Sequence, residues 1–275
     1  MQLFDTHLHT HHSHDGAVSC SGIADIALKN GLFGITITDH FDSGLYKSSS
    51  DYEHIRKSFA EAQKASESYK GKLIITSGVE MGDYLFGKSI ADKCMQEIPF
   101  DFVLCSVHAS QLGKKLFGTF ENTKQFALMS DEQNKTYIKE YFKCILETVS
   151  VQDFDSLAHL TYPLRYIVAI NKKPLDITFC MPTIKEILHL LIIKNKALEI
   201  NTSCLATDWK YPMPDYSIIR EYYNMGGRLV TIGSDAHRTE RIGLGIYDIL
   251  CKLKTIGFTS YYYYKNRNPI EISLL

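Results

Sequence analysis

Leu3-Phe4-Asp5-Thr6 is a short strand-like run that leads straight into His7-Leu8-His9. The same arrangement returns along the chain. Gly34 to Thr38 leads into Asp39-His40, Leu73 to Val79 into Glu80, Phe102 to Val107 into His108, and Asp155 to Ala158 into His159. Leu229 to Ile232 leads into Ser234-Asp235-Ala236-His237, and a seventh run, Ala197 to Ile200, into Asn201-Thr202-Ser203. Segments of helical period lie between them, at Ser21 to Asn30, Tyr52 to Tyr69, Asp131 to Val149, Pro182 to Asn195, Pro214 to Met225 and Leu244 to Lys254. Ser21 reads as the first helix's N-cap, with Gly31 and Gly226-Gly227 as helix stops. Short β-branched runs alternating with helices are the pattern of βα units around a parallel sheet. In a parallel barrel the C-terminal strand ends converge on one face, so six separate segments deliver imidazoles and carboxylates into one bowl. The sequence predicts an α/β barrel in one domain over residues 1–275.

At 275 residues, 45% hydrophobic and 22% charged, the chain buries a full core. A net charge of -1 and a pI near 6.8 give no basic field, which argues against nucleic acid or an anionic membrane surface as partner. The seven cysteines are odd in number and scattered without a Cys-x-x-Cys pair, so they read as buried reduced thiols in the cytoplasm. Met1-Gln2-Leu3-Phe4-Asp5 enters polar sequence at once, without the pattern of a secretory signal. The most apolar helical stretch, Ile184 to Ile193, is interrupted by Lys185, Glu186 and His189 and is too short to cross a bilayer.

A lone histidine after a strand is more often a hydrogen-bonded structural residue than a ligand. Recurrence of ligand types at six of seven strand ends is what turns the reading toward metal. In His7-x-His9 and Asp235-x-His237 the two side chains point the same way, so each pair can grip one ion. His54 and His189 lie inside expected helices and read as surface or packing residues. His11, His12 and His14 share a loop with Asp15-Gly16, and any of them could reach the bowl. Arg165, six residues past His159, and Arg238, directly after His237, are placed to offer a planar fork to phosphate. The alternative for both, and for Arg241, is a solvated loop arginine. Asn201 and Ser203 are candidates to hydrogen-bond substrate. The connections Phe41 to Asp51 and Ala109 to Ser130 are long for this fold and lie on the catalytic side, where they would either close over substrate or form disordered insertions with no role in turnover.

His7-Leu8-His9-Thr10 with Asp15-Gly16, Ile37-Thr38-Asp39-His40, Gly78-Val79-Glu80, Ser106-Val107-His108 and Gly233-Ser234-Asp235-Ala236-His237 resemble the successive motifs of the polymerase and histidinol phosphatase (PHP) family. The chain is most similar to the family's stand-alone histidinol-phosphate phosphatases through Pro99 to Val103, Glu199-Ile200-Asn201-Thr202-Ser203, Tyr211-Pro212, Gly226 to Thr231 and the tail from Gly257 to Pro269. The resemblance implies a distorted (β/α)7 barrel carrying three divalent transition-metal ions. Carried over residue by residue, it assigns one ion to His7, His9, Glu80 and Asp235, a second to Glu80, His108 and His159, and a third to Asp15, His40 and His237, with Glu80 bridging. The family position of Asp15 is an acid in some members and histidine in others, and His14 stands beside it here. The stretch Ala109-Ser110-Gln111-Leu112-Gly113 replaces the short acidic turn the family pattern leads one to expect. Imidazole and carboxylate donors suit zinc, manganese or iron.

Phosphate-monoester hydrolysis is among the slowest uncatalysed reactions and demands both a strong nucleophile and charge neutralisation. Divalent ions supply both, lowering the pKa of a coordinated water from about 15.7 toward about 7 to give hydroxide at neutral pH. The resemblance therefore implies hydrolysis of the small metabolite L-histidinol phosphate to L-histidinol and phosphate. Glu80, Asp235, His237 and Arg165 would serve catalysis, and Arg165, Asn201, Ser203 and Arg238 substrate binding. Asp42, Asp208 and Asn201 are the polar candidates for the substrate's ammonium and imidazole. Two other readings stand beside it: a phosphoesterase of the same fold acting on another small metabolite or phosphotyrosine, and a non-catalytic interaction domain. Competent donors at all nine ligand positions weigh against the last.

Overall fold

Seven parallel strands follow the seven apolar runs, and they neighbour one another in the order β1 (Phe4–Leu8), β2 (Gly34–Ile37), β4 (Ile74–Gly82), β5 (Phe102–Ser106), β6 (Ser156–Leu157), β7 (Ala197–Asn201) and β8 (Val230–Gly233). The computed structural model describes residues 1–46, 48, 52–108 and 123–275. Ala109 to Gly113 and the greater part of Ser48-Ser49-Ser50 lie outside the described residues, as does much of the two connections expected to close over substrate. Every residue of β1, β2, β5 and β7 is buried, as expected of strands covered by side chains inside the barrel and by helices outside it. The circle closes between the first and last strands through a parallel bridge of Leu8 to Ala236. Asp235 N donates to His7 O at 2.9 Å and His9 N to Ala236 O at 3.1 Å. The fold is a distorted (β/α)7 barrel.

Two departures from the sequence reading bear on the site. Glu80 does not follow its strand but lies within it, because β4 runs on to Gly82 and keeps pairing with β5 through Gly82 and Ser106. The strand that begins as β2 also resumes after Thr38-Asp39 as β3 (His40–Asp42), pairing His40 with Glu80. The break occurs where Asp39 turns inward: its carboxylate accepts from Thr10 N and Thr10 Oγ1 at 2.7 Å, Ser13 Oγ at 2.6 Å and Ser58 Oγ at 2.5 Å. Asp39 thus fastens the loop after β1 to both β2 and the helix Glu53–Ser68.

The expected helices form with small boundary shifts. Ser19 rather than Ser21 caps α1 (Cys20–Lys29), its hydroxyl accepting from Gly22 N. α2 is Glu53–Ser68, and the helix Asp131–Val151 begins with a reciprocal capping box between Ser130 and Gln133. α3 (Lys88–Glu97) was not expected from the sequence, since its buried stripe is only Ile90, Ala91 and Cys94. Arg165–Ile170 is a π-helical turn, a feature that often accompanies functional sites.

The aromatic run Ser260–Lys265 forms an antiparallel hairpin with Asn268–Ser273 and closes the floor of the barrel. Tyr261 Oη donates to Gln2 O at 2.6 Å and accepts from Phe4 N at 3.0 Å, while Tyr263 stacks on Phe4 at 4.3 Å. Floor and rim are therefore opposite ends of β1, leaving the C-terminal rim for chemistry. The seven cysteines form no disulfide; six are buried and Cys251 is half-buried. Among the described residues no helix is long and apolar enough to cross a membrane.

Candidate metal centre

Glu80 is fully buried at the centre of the rim, and five imidazoles from four segments face its carboxylate. Oε2 lies 2.7 Å from His40 Nδ1, 3.4 Å from His7 Nε2 and 3.6 Å from His9 Nε2. Oε1 lies 2.9 Å from His159 Nε2 and 3.0 Å from His108 Nε2. Asp235 provides a second acidic centre, its Oδ1 standing 3.4 Å from His9 Nε2 and 3.7 Å from His7 Nε2. Asp15 reaches His237 Nε2 at 3.1 Å and His40 Nε2 at 3.6 Å. The structure thus brings all nine sequence-predicted donors together. Within this assembly, three groups have ligand atoms mutually close enough to share an ion: His7, His9 and Asp235; His9, His40 and His237; and His40, Glu80 and His108.

Tautomers of the ring nitrogens follow from the outer partners. His7 Nδ1 is 2.6 Å from Glu199 Oε1, and His108 Nδ1 is 2.9 Å from Asp42 Oδ1. His237 Nδ1 is 3.0 Å from the Asp235 carbonyl oxygen. His9 Nδ1 is 3.1 Å from Ser13 Oγ, whose own proton goes to Asp39. In each ring Nδ1–H is the donor, so the neutral ring has its Nε2 lone pair directed inward. Lone pairs and carboxylate oxygens cannot hydrogen-bond to each other. Among the described residues, His7 Nε2, His9 Nε2 and Glu80 Oε2 are accordingly buried without a hydrogen-bond partner. The donor set fits cations placed between these atoms.

The electrostatics agree. Burial opposes charge on His7, yet Glu199, Glu80 and Asp235 together hold its pKa well above the imidazole range. His40 is pushed up to about 9, Glu80 outweighing burial, and His108 is raised by Glu80 and Asp42 in the same way. Burial and the neighbouring His237 and His40 hold His9 well below it. Burial would raise Glu80 and Asp235, but the surrounding imidazoles hold both well below the usual carboxylate range. Both acids are anionic at neutral pH, and the nitrogens around them favour a positive charge, be it proton or metal.

The backbone is bent to present two of the ligands. His159 has φ of 23° and Asp235 of 54°, in the left-handed region that β-carbons resist. Gly233 is required on the neighbouring strand: a β-carbon there would stand 2.3 Å from His7 Cβ and 2.5 Å from Glu199 Oε1.

Above the cluster opens a cavity of about 560 Å³ lined by Asp15, His40, Glu80, His108, His159, Asp235 and His237 together with Arg165, Tyr162, Tyr166, Ile170, Ser203, Thr207, Arg238, Glu240 and Arg241. Arg165 Nη1 lies 3.5 Å from Asp235 Oδ2 and its side chain is 33% exposed, so one face of the guanidinium remains open to the cavity. Arg241, read from sequence as a solvated loop residue, also reaches the cavity.

Several expected contacts fall elsewhere. Asn201 is fully buried, donating to Glu199 and accepting from Ser203 N and Oγ, and is absent from the described cavity wall. Asp42 is engaged by His108, and Asp208 is 90% exposed and paired with Lys172. His54, as expected, is a packing residue, its Nε2 3.2 Å from the His40 carbonyl oxygen. His11 and His12 turn from the bowl toward Glu61 on α2, and His14 is 56% exposed beside Asp15. Sequence reasoning gave no role to Glu199, which orients two ligands: Oε1 takes His7 Nδ1–H, and Oε2 takes His159 N–H at 2.7 Å. Its signal was an acid inside the otherwise apolar start of β7, two residues from Asn201 and so on the same face.

Comparison with known proteins gives a consistent result. The family model described as the PHP domain matches residues 5–203. A protein of Thermotoga maritima named probable histidinol-phosphatase is 34% identical over 256 residues, covering 93% of each chain. The histidinol-phosphatase of Lactococcus lactis subsp. lactis is 30% identical over 260 residues, covering 94% of this chain and 93% of that one. The crystal structure of histidinol phosphate phosphatase from Lactococcus lactis, complexed with zinc, L-histidinol and phosphate, matches with a TM-score of 0.80 at 26% identity. That match covers 98% of this chain and 99% of the other.

Proposed function

Because the chain belongs to the PHP domain family, we propose that it is a metal-dependent phosphoric monoester hydrolase, residues 1–275 forming one catalytic domain that converts L-histidinol phosphate and water to L-histidinol and phosphate in histidine biosynthesis. The observation that carries this reading is the ring of inward-facing imidazole nitrogens around Glu80 and Asp235, beneath a cavity with an open guanidinium.

In the proposed assignment His7, His9, Glu80 and Asp235 hold one ion, Glu80, His108 and His159 a second, and Asp15, His40 and His237 a third. Zinc is supported by the zinc-containing relative, and manganese and iron fit the same donors. When bound, such ions supply Lewis acidity toward phosphoryl oxygens and lower the pKa of water. The chain's own residues do the rest. Glu80, anionic and held by five imidazoles, keeps the donor set at fixed spacing. Arg165, tethered to Asp235, presents its free edge to a phosphoryl group at the cavity floor. Arg238 and Ser203 line the same wall and complete the polar contacts to phosphate. Outside the metal-facing set, Glu240 is the carboxylate on the described cavity wall, and it is the acceptor we assign to the substrate's ammonium. Asn201 acts behind the wall, positioning Glu199 and Ser203. The buried, unbridged cysteines support a cytoplasmic location.

A panel of esters tests this reading: metal-quantified enzyme is offered L-histidinol phosphate, phosphotyrosine, a generic aryl phosphate and a mononucleotide. Binding energy from the ammonium and imidazole positions the ester bond, so kcat/KM for histidinol phosphate is expected to exceed that for the aryl ester by at least ~100-fold, about 3 kcal/mol. Equal rates on the two would leave a general phosphoesterase in its place.

A further inference from the structure

We infer that His11, His12 and Glu61 form a separate divalent-metal site on the outer side of the loop that follows β1. His12 Nε2 lies 2.8 Å and His11 Nε2 3.8 Å from the same oxygen, Glu61 Oε2, and the two rings lie side by side with centroids 4.2 Å apart. All three donor atoms fall within 4.8 Å of one another. Zinc–nitrogen and zinc–oxygen bonds of about 2.0–2.1 Å in a tetrahedron place neighbouring donors roughly 3.3 Å apart, so the two measured separations bracket what an ion requires. Small side-chain rotations suffice.

The donors are held in place before any ion arrives. Glu61 sits on α2 with Oε1 accepting from Cys20 N at 2.9 Å, which fixes the carboxylate and leaves Oε2 toward the histidines. The loop is fixed by His11 N donating to Val18 O at 2.8 Å and His12 N to Thr10 Oγ1 at 3.1 Å. Side-chain exposures of 47% for His11, 27% for Glu61 and 14% for His12 leave the remaining coordination positions to water. Two imidazoles and one carboxylate select zinc, nickel or copper over magnesium or calcium. None of the three lines the catalytic cavity as described, so the site neither belongs to the central cluster nor depends on the proposed substrate. Its occupancy would cross-link the loop bearing His9, Ser13 and Asp15 to α2, stiffening the segment that presents Asp15. Without an ion, the His12–Glu61 hydrogen bond makes a weaker version of the same link.

The test is equilibrium dialysis of the full-length protein against rising free zinc, with bound metal counted by elemental analysis, for wild type, His11→Ala and Glu61→Gln. His11→Ala is the primary variant, because that side chain is half exposed and its removal leaves the Glu61 contact to Cys20 intact. Wild type is expected to bind one equivalent beyond the central cluster. In both variants the midpoint of that last equivalent should rise at least ~10-fold, a scale already reached by removing groups outside a coordination sphere, while the tighter equivalents stay unchanged. The zinc-dependent rise in Tm that accompanies the last equivalent should vanish with it. A wild-type protein that binds nothing beyond the central cluster, or variants whose last equivalent binds with the wild-type midpoint, would overturn the assignment.

Discussion

Exchanging Glu199 for Gln probes the part of the account that rests most on geometry. The carboxylate accepts His7 Nδ1–H on one oxygen at 2.6 Å, and His159 N–H and Asn201 Nδ2–H on the other at 2.7 and 3.3 Å. Glutamine offers one acceptor oxygen and turns an NH2 group toward the remaining donors, so either His7 or the His159 backbone loses its partner inside a fully buried site. A hydrogen bond to a charged group is worth about 1.5–3 kcal/mol. At about 1.4 kcal/mol per factor of ten, that becomes a roughly 10- to 150-fold loss, matching the ~10–100-fold seen when partners that orient metal ligands are removed. The assay is metal affinity by competition with a chromogenic chelator, followed by kcat/KM at limiting and at excess metal. A positioning role predicts weakened affinity together with substantial recovery of turnover at excess metal. Wild-type affinity in Glu199→Gln would refute the claim that this carboxylate sets the His7 tautomer.

Three further outcomes are expected. Gly233→Ala forces a β-carbon against His7 Cβ and Glu199 Oε1, and should cost about 1–3 kcal/mol by urea unfolding while lowering metal content; a variant unchanged in both would show that the strand yields there. Arg165→Lys keeps the charge and loses the fork, so kcat/KM should fall at least ~10-fold, about 1.4 kcal/mol, with wild-type kinetics returning Arg165 to a surface role. Acidification should strip metal: ligation needs neutral rings, and His7, His108 and His40, the last pushed up to about 9, bind protons more tightly than free imidazole, so falling pH moves these nitrogens from metal to proton. Metal content that holds constant to well below about pH 6.5 would contradict that competition.

The barrel was legible because each strand is a short apolar run and each rim ligand interrupts it, so the ligands themselves punctuate the fold. That punctuation also misled: Glu80 looked like a strand end although Met81 and Gly82 continue the pairing. Lys88–Glu97 escaped notice since three small or medium buried residues make too narrow a stripe, and Asn268–Ser273 since Pro269 and mostly exposed positions disguise an edge strand. The metal-facing donors were readable as residue types at recurring places. Their outer partners were not, because proximity in sequence does not predict them: Asp42 follows His40 by two residues yet serves His108, and Glu199, 192 residues along the chain, serves His7 from β7, the next strand but one around the barrel. The substrate wall depended on loop geometry in the same way, which moved Asn201 behind it and brought Arg241 and Glu240 into it.

Glu80 stands at the centre of the account, facing five imidazoles with a single carboxylate. The most direct measurement is phosphate release from L-histidinol phosphate by wild type and Glu80→Gln, with bound metal counted in the same preparations. The account predicts that wild type turns the ester over with metal bound, and that Glu80→Gln, still folded by circular dichroism, loses metal and turnover together as the bridging charge goes. A Glu80→Gln protein that keeps its full metal complement and hydrolyses the ester at the wild-type rate would contradict it.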